Sequence, residues 1–232
     1  MLPKSDEPLR CRICHWSEFG PLGSRCPDDT HGFLLADEDL GRYRDDQLLG
    51  RTLMGRYVVV GVLGQGGMGI VYRAIQPTLM NREVAVKVIF LTAEVPLERQ
   101  TELRARFTRE AQILAHLNDP AIVTLYDYWE DRHGRQYMVL ERVWGETLTA
   151  ICRREVLEPK RVVGLMAEVL RGLHAGHEAG VVHRDMKPDN ILVTIRDGEE
   201  QPKIIDLGVA KAEEMPSLTA SGRTCGSPES IA

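Results

Sequence analysis

Three stretches of this chain hold residue types at spacings that could do chemistry, two on a phosphate group and one on a metal ion. The first, Gly64-Gln65-Gly66-Gly67-Met68-Gly69-Ile70-Val71, has the spacing G-x-G-x-x-G-x-V. Glycines let a backbone approach a polyphosphate closely, so that amide N–H groups bond its oxygens. A dinucleotide-binding turn shares the spacing, and so does a plain glycine hairpin. In the dinucleotide case a helix follows, with an acid about 20 residues on. Here strand-like residues follow, Gly69 to Ala74, and then Lys87 within Val84-Ala85-Val86-Lys87. A strand lysine points to the face opposite its two neighbours, so Lys87 can reach phosphates beneath the loop. Glu110 lies three residues after Phe107 and four before Leu114, on the buried side of a helical pattern. An acid there needs a partner, and Lys87 is the natural one.

The second stretch runs His183-Arg184-Asp185-Met186-Lys187-Pro188-Asp189-Asn190. Asp185 is placed to orient a hydroxyl and accept its proton. Lys187 can offset charge on a transferring phosphoryl group. Asn190 offers an amide oxygen to a hard cation, and Asp206, in Ile205-Asp206-Leu207-Gly208, offers a carboxylate to the same ion. Phosphoryl transfer needs positioning and charge neutralisation more than covalent chemistry, and this set meets that need.

The third stretch is rich in thiols. Cys11-x2-Cys14-x11-Cys26 is followed by Asp29 and His31. A two-residue gap lets two thiolates reach one tetrahedral ion from a single turn. Only three ligands of a four-ligand Zn²⁺ site are cysteines. Asp29 stands where a second C-x2-C would end, and His31 and His15 are the other candidates. The competing reading is an N-terminal tail with incidental thiols. Cys152 and Cys225 are isolated and read as ordinary buried or loop thiols. Five cysteines with no export signal argue against a disulfide framework.

The elements that would position these groups follow from periodicity. Residues 1–33 show no sustained pattern, and 34–55 carry acids and scattered leucines and read as a linker. From Arg56 the texture is β-rich: Tyr57 to Leu63, Gly69 to Ala74, Glu83 to Ile89, Thr124 to Trp129 and Gln136 to Glu141. One helix over 97–117 sets Leu103, Phe107, Ala111, Leu114 and Leu117 in a stripe, and Asp119-Pro120 ends it. A second helix over 160–178 sets Val163, Met166, Leu170 and Leu173 on one face. Two short strands follow, Ile191 to Thr194 and Lys203 to Ile205, split at Arg196-Asp197-Gly198.

Composition excludes several classes. Of 232 residues 43% are hydrophobic and 27% charged, which is ordinary globular usage. A net charge of -5 argues against nucleic acid as a partner. No apolar run approaches the roughly 20 residues of a membrane span, and no secretory signal opens the chain, so a cytoplasmic location is expected.

Taken together, the motifs resemble those of a bacterial eukaryotic-type (Hanks-type) serine/threonine protein kinase, from about Arg56 to the C-terminus. The resemblance implies an α+β, bilobal kinase-like fold: a β-rich small lobe and hinge over 56–143, then a helical lobe over 144–232, behind the Cys-containing segment 1–33. It implies ATP and Mg²⁺ as cofactors and a protein as substrate. Lys87 would hold the α and β phosphates and pair with Glu110. Asp185 would be the catalytic base, and Asn190 and Asp206 would bind Mg²⁺. Leu63 through Gly69, with Val71, Ala85 and Leu192, would line the nucleotide. Leu140 would sit at the gatekeeper position, with the hinge at Glu141 to Val143. The Asp185-x-Lys187-Pro188 phrase resembles the serine/threonine type.

Two departures stand out. Leu207 occupies a position where phenylalanine is commonest. Gly226-Ser227-Pro228 resembles an activation-segment motif, yet Ser230 replaces the usual aromatic residue and the sequence stops at Ala232. An incomplete helical lobe is therefore expected, with apolar surface uncovered on the 160–178 helix and catalysis impaired. The alternative is an inactive remnant that binds nucleotide or a protein partner. Arg184 implies control by phosphorylation of the activation segment, with Thr224 ahead of Thr219 and Ser221.

Overall fold

The structure is a computed structural model that describes residues 8–28, 32–66, 69–89, 95–180, 182–183 and 185–207. The chain divides into two compact units, Met1–Thr92 with Asp127–Arg142, and Ala93–Tyr126 with Val143–Ala232.

The first unit holds two sheets. Strands β1 (Leu9–Cys11), β2 (Ser17–Glu18) and β3 (Leu34–Ala36) form a small sheet in the order β2-β1-β3, and a short helix α1 (Asp37–Arg42) follows directly. The larger sheet comprises β4 (Thr52–Leu53), β5 (Tyr57–Gly66), β6 (Gly69–Gln76), β7 (Arg82–Val88), β8 (Leu125–Glu130) and β9 (Gln136–Glu141), in the order β4-β5-β6-β7-β9-β8. Runs such as Tyr57-Val58-Val59-Val60 favour extended backbone because β-branched side chains suit a pleated surface. Left-handed Met80 and Asn81 (φ 51° and 56°) turn the chain between β6 and β7.

Register divides this sheet into two faces. Val71 pairs with Lys87, Lys87 with Met138 and Ala85 with Leu140, so these five share one face. Tyr72, Val86 and Val139 pair in the alternate register and point the other way. They join Leu34, Leu35, Leu48 and Leu49 in a single apolar cluster.

The segment 34–55, expected to be a linker, is therefore a packed part of this unit, which corrects that reading. Backbone bonds from Gly50 N to Val59 O (2.8 Å) and from Val59 N to Arg51 O (2.9 Å) tie it to β5. Tyr72 donates its hydroxyl to Asp46 Oδ2 (2.7 Å), while Asp46 Oδ1 accepts from the amides of Leu48 and Leu49. Arg12 donates to the carbonyls of Arg44, Asp46 and Leu49. Asp39 accepts the Val62 amide (3.2 Å).

The second unit contains α2 (Leu97–His116), β10 (Glu146–Thr147), α3 (Leu148–Arg154), α4 (Pro159–Glu178), β11 (Ile191–Arg196) and β12 (Glu199–Ile204), with the three strands in the order β10-β11-β12. Thr147 caps α3 by accepting the Ala150 amide at 3.1 Å. Proline opens α4 at its first position, where the missing N–H costs no helix bond. Asp197-Gly198, both at positive φ, makes the two-residue hairpin between β11 and β12.

The contact face of α4 is Leu165, Val169, Gly172 and Gly176, all buried. A Cβ on Gly172 would lie 2.9 Å from Ala121 Cβ, so glycine permits the close approach there. The stripe read from the sequence lies on another side, and Val163 and Leu170 are 68% and 63% exposed. Cys152 is exposed on α3, neither buried nor in a loop.

Candidate functional site

In the first unit, β5 and β6 carry Gly64, Gly66 and Gly69. Gly67 and Met68 fall outside the described residues. The glycines differ in what they allow. A Cβ on Gly64 or Gly66 would meet nothing within 4 Å, whereas at Gly69 it would lie 2.0 Å from the Val88 carbonyl oxygen, on a backbone with φ of 153°. Gly64 and Gly66 therefore leave free space at the loop, and Gly69 lets β6 and β7 approach.

Lys87 is half-buried at mid-strand, between Val86 and Val88, which are wholly buried. It shares its face with Val71, Ala85, Met138 and Leu140. Ala85 and Leu140 are buried, Val71 partly so, and Leu63 is exposed near the loop. Glu141 closes β9, and Val143, two residues on, is buried.

In the second unit, Glu110 is 3% exposed on α2, beside buried Phe107, Ala111 and Leu114. The loop ahead of β11 carries the remaining groups. Asn190, itself buried, donates from its Nδ2 to the Asp185 carbonyl (2.9 Å), and its backbone N–H donates to Lys187 O (3.0 Å). Its side-chain oxygen is then the atom left to face a cation. Ile205 N donates to Asn190 O (3.0 Å), which ties the Asp206 segment to the same frame. Lys187 Nζ stands 3.8 Å from Asp185 Oδ2. Leu192 is half-buried on β11, and Leu207 is buried.

His183, the first residue of this motif, has a positioning role. It is buried, and the Asp185 N–H donates to its backbone oxygen (2.8 Å) and more weakly to its Nδ1 (3.3 Å). Burial lowers its pKa against the opposing pull of Asp206 and Asp185, which favours the neutral ring that can accept this bond. Being first in the motif was its only signal. Arg184, Thr219, Ser221, Thr224 and Cys225 lie outside the described residues.

The thiols of Cys11, Cys14 and Cys26 lie together, their sulfurs within 4.8 Å of one another. Burial raises the Cys11 pKa, but N–H donors at Cys14 and Ile13 and the neighbouring thiols outweigh it and lower it, while Cys14, despite the Trp16 N–H donor, is pushed up to about 12 by burial and by the Cys26 and Cys11 thiols. His15 is described and does not join the group, while Asp29 and His31 fall outside the described residues.

A protein kinase domain matches residues 57–232. Serine/threonine-protein kinase pkn3 of Myxococcus xanthus is 38% identical over 190 residues, covering 79% of this chain and 34% of that protein. A probable serine/threonine-protein kinase of Streptomyces coelicolor is 44% identical over 167 residues, with 70% and 24% covered. PknA of Mycobacterium tuberculosis is 38% identical over 189 residues, with 79% and 42% covered. The chain thus spans between a quarter and two fifths of the length of these relatives. Among solved structures, the kinase domain of PknI from M. tuberculosis is similar with a TM-score of 0.55 and 28% identity, covering 68% of this chain and 62% of that one. The apo form of PpkA-294 has a TM-score of 0.59 at 24% identity, with 69% and 61% covered, a likeness of fold.

Proposed function

Since the chain belongs to the protein kinase family, in its bacterial serine/threonine branch, we propose that it transfers the terminal phosphoryl group of ATP to Ser or Thr hydroxyls of a protein substrate. The observation that carries this reading is the bond from Asn190 Nδ2 to the Asp185 carbonyl, at 2.9 Å. It holds a candidate base and a candidate cation ligand on one backbone frame, to which Ile205 N joins the Asp206 segment.

Asp185 orients the substrate hydroxyl and takes its proton as the oxygen attacks phosphorus. Lys187 offsets charge on the phosphoryl group in flight. Lys87 holds the α and β phosphates beside the glycine loop that begins at Gly64, and Glu110 is the acid that the sequence assigns to it as partner. Val71 and Ala85 line the adenine from the first unit, and Leu192 and the hinge Glu141 to Val143 are assigned to it by the resemblance in sequence. The Asn190 amide oxygen and the Asp206 carboxylate form an all-oxygen donor set, which fits Mg²⁺. When bound, that ion neutralises charge on the phosphate oxygens. The Asp185-x-Lys187-Pro188 phrase supports a protein substrate over a small molecule.

The test is Mg·ATP turnover on a generic protein substrate, with wild type compared to Asp185→Asn. Loss of the base should lower turnover by about 10²–10⁴-fold with nucleotide affinity unchanged. Equal turnover in the variant would remove Asp185 from the role of base. A wild-type chain that binds Mg·ATP without turnover would select the alternative, a nucleotide-binding or interaction module.

A further inference from the structure

The three N-terminal cysteines take no part in phosphoryl transfer, yet the fold brings them together from two separate turns. Cys11 ends β1, and the next turn is closed by Cys11 N to Trp16 O (2.8 Å) and His15 N to Cys11 O (3.0 Å), with His15 left-handed at φ 64°. That turn presents Cys11 and Cys14 on one side. Cys26 comes from a second turn, whose ends are held by Cys26 N to Gly32 O (3.0 Å) and by the bridge of Arg25 with Phe33. The Cys14 and Cys26 sulfurs are 3.4 Å apart, and all three lie within 4.8 Å.

From this convergence we propose that Cys11, Cys14 and Cys26 bind one Zn²⁺ ion as thiolates, in a structural site of the N-terminal layer. Zn–S bonds of about 2.3 Å in a tetrahedron place sulfurs about 3.8 Å apart. The Cys14–Cys26 separation of 3.4 Å is slightly short of that value and the other separations stay within 4.8 Å, so an ion enters with small side-chain adjustments. On binding, three S–H protons go to solvent and three Zn–S bonds form, with no redox change. Soft thiolates select Zn²⁺ over Mg²⁺, so the ion is distinct from any held by Asn190 and Asp206. Among the described His, Cys, Asp and Glu residues no fourth ligand joins the group. A solvent oxygen or another donor of this chain completes the tetrahedron.

Two other readings compete. In a disulfide reading, Cys14 and Cys26 pair and Cys11 is left over. In a packing reading, the thiols act as small apolar side chains. Packing explains burial of Cys11 and Cys26 but not why a partly buried third sulfur turns onto them. The ion also has a structural consequence. Cys11 and Cys26 belong to the same apolar cluster as the strands of the larger sheet. Zinc would therefore brace two turns whose strands, at two and three residues, are too short to hold themselves.

The experiment uses the full chain, purified with reductant, stripped by chelator and reloaded with Zn²⁺ or Co²⁺. One equivalent of zinc per chain is expected by elemental analysis. Co²⁺ should show thiolate-to-metal charge transfer and the intense visible bands of a tetrahedral ion. Loading should protect three thiols from a thiol reagent. At a thousandfold excess over Kd, linkage predicts stabilisation of about 4 kcal/mol, or roughly 8–16 °C in melting temperature for a chain of this size. Cys11→Ser, Cys14→Ser and Cys26→Ser should each lose the stoichiometric metal, and Cys152→Ser should keep it. If the serine variants fail to fold, the wild-type thiol count and cobalt spectrum decide alone. A Cys14–Cys26 disulfide in the reduced preparation, octahedral cobalt bands, or no thiol protection would overturn the proposal.

Discussion

The glycines of the phosphate-loop motif should fail in different ways. At Gly69 a methyl group would be driven to 2.0 Å from the Val88 carbonyl oxygen, on a backbone with φ of 153° that L side chains rarely adopt. Neither contact partner is a flexible side chain, so relief requires β6 and β7 to separate. Overpacking against a fixed neighbour costs about 1–3 kcal/mol, and the backbone conformation adds roughly 1–3 kcal/mol. Gly69→Ala should therefore lose about 2–6 kcal/mol without any nucleotide present, a large part of a typical net stability of about 5–15 kcal/mol. Gly66→Ala meets nothing within 4 Å, so its stability should stay within about 0.5 kcal/mol of wild type. Its effect should appear only when nucleotide is added, because the methyl occupies space beside the loop backbone. The assay is urea unfolding followed by tryptophan fluorescence. Trp129 stacks on Tyr137 at 4.8 Å and on Tyr57 at 6.1 Å, and so reports on the first unit. Nucleotide affinity is measured alongside. Wild-type stability in Gly69→Ala, or a loss above about 1 kcal/mol in apo Gly66→Ala, would refute the reasoning.

Two further outcomes follow from packing and charge. Asp39 has a raised pKa, chiefly through burial, with the Val62 amide opposing and Glu38 adding to the rise. The folded chain thus holds this proton more tightly than the unfolded one, where the pKa is about 3.9. Its stabilising contribution is present below that value and is lost as pH rises through the folded pKa. Asp39→Asn, which keeps an oxygen for Val62, should be more stable than wild type at neutral pH, with the gap closing as pH falls towards 4. A gap that widens on acidification in thermal melts would contradict this. On α4, Leu165→Ala should cost about 2–5 kcal/mol and Leu170→Ala about 0.5 kcal/mol or less. The reverse order in urea titrations would return the contact face to the stripe read from the sequence.

Much of this architecture is legible in the sequence, for identifiable reasons. Strands β5, β6, β7 and β9 are long, β-branched and bounded by turn residues, and α2 and α4 run 20 residues each. Signals of that length survive local noise. The N-terminal sheet does not announce itself, because strands of two or three residues have no period to detect. Its leucines, Leu34, Leu35, Leu48 and Leu49, look scattered because α1 and a turn anchored by Asp46 separate them. The α4 face was misjudged because glycine carries no apolar weight in a periodicity count. Gly172 and Gly176 are nevertheless buried on the contact face, and Gly172 meets Ala121 closely. The site motifs were readable as strings. That Asn190 spends its amide nitrogen on the Asp185 carbonyl, and that His183 accepts the Asp185 amide, depends on backbone geometry that spacing does not encode.

The apolar cluster shared by the two sheets bears on where this domain begins. The match to the kinase family starts at Tyr57, but among the described residues the apolar cluster starts at Leu9. A protein expressed from residue 57 onward would keep every residue of the kinase motifs. It would also bare the far side of the large sheet, where Tyr72, Val84, Val86 and Val139 are wholly buried in the full chain. At about 1.5–3 kcal/mol per large apolar side chain, uncovering even four such residues costs roughly 6–12 kcal/mol, as much as most domains have to lose. For this chain the region that matches the kinase family and the packed apolar cluster have different edges. Residues 8–28 and 32–55 contribute to the apolar cluster on the sheet face opposite Lys87, so a substitution there can lower stability without touching a motif residue.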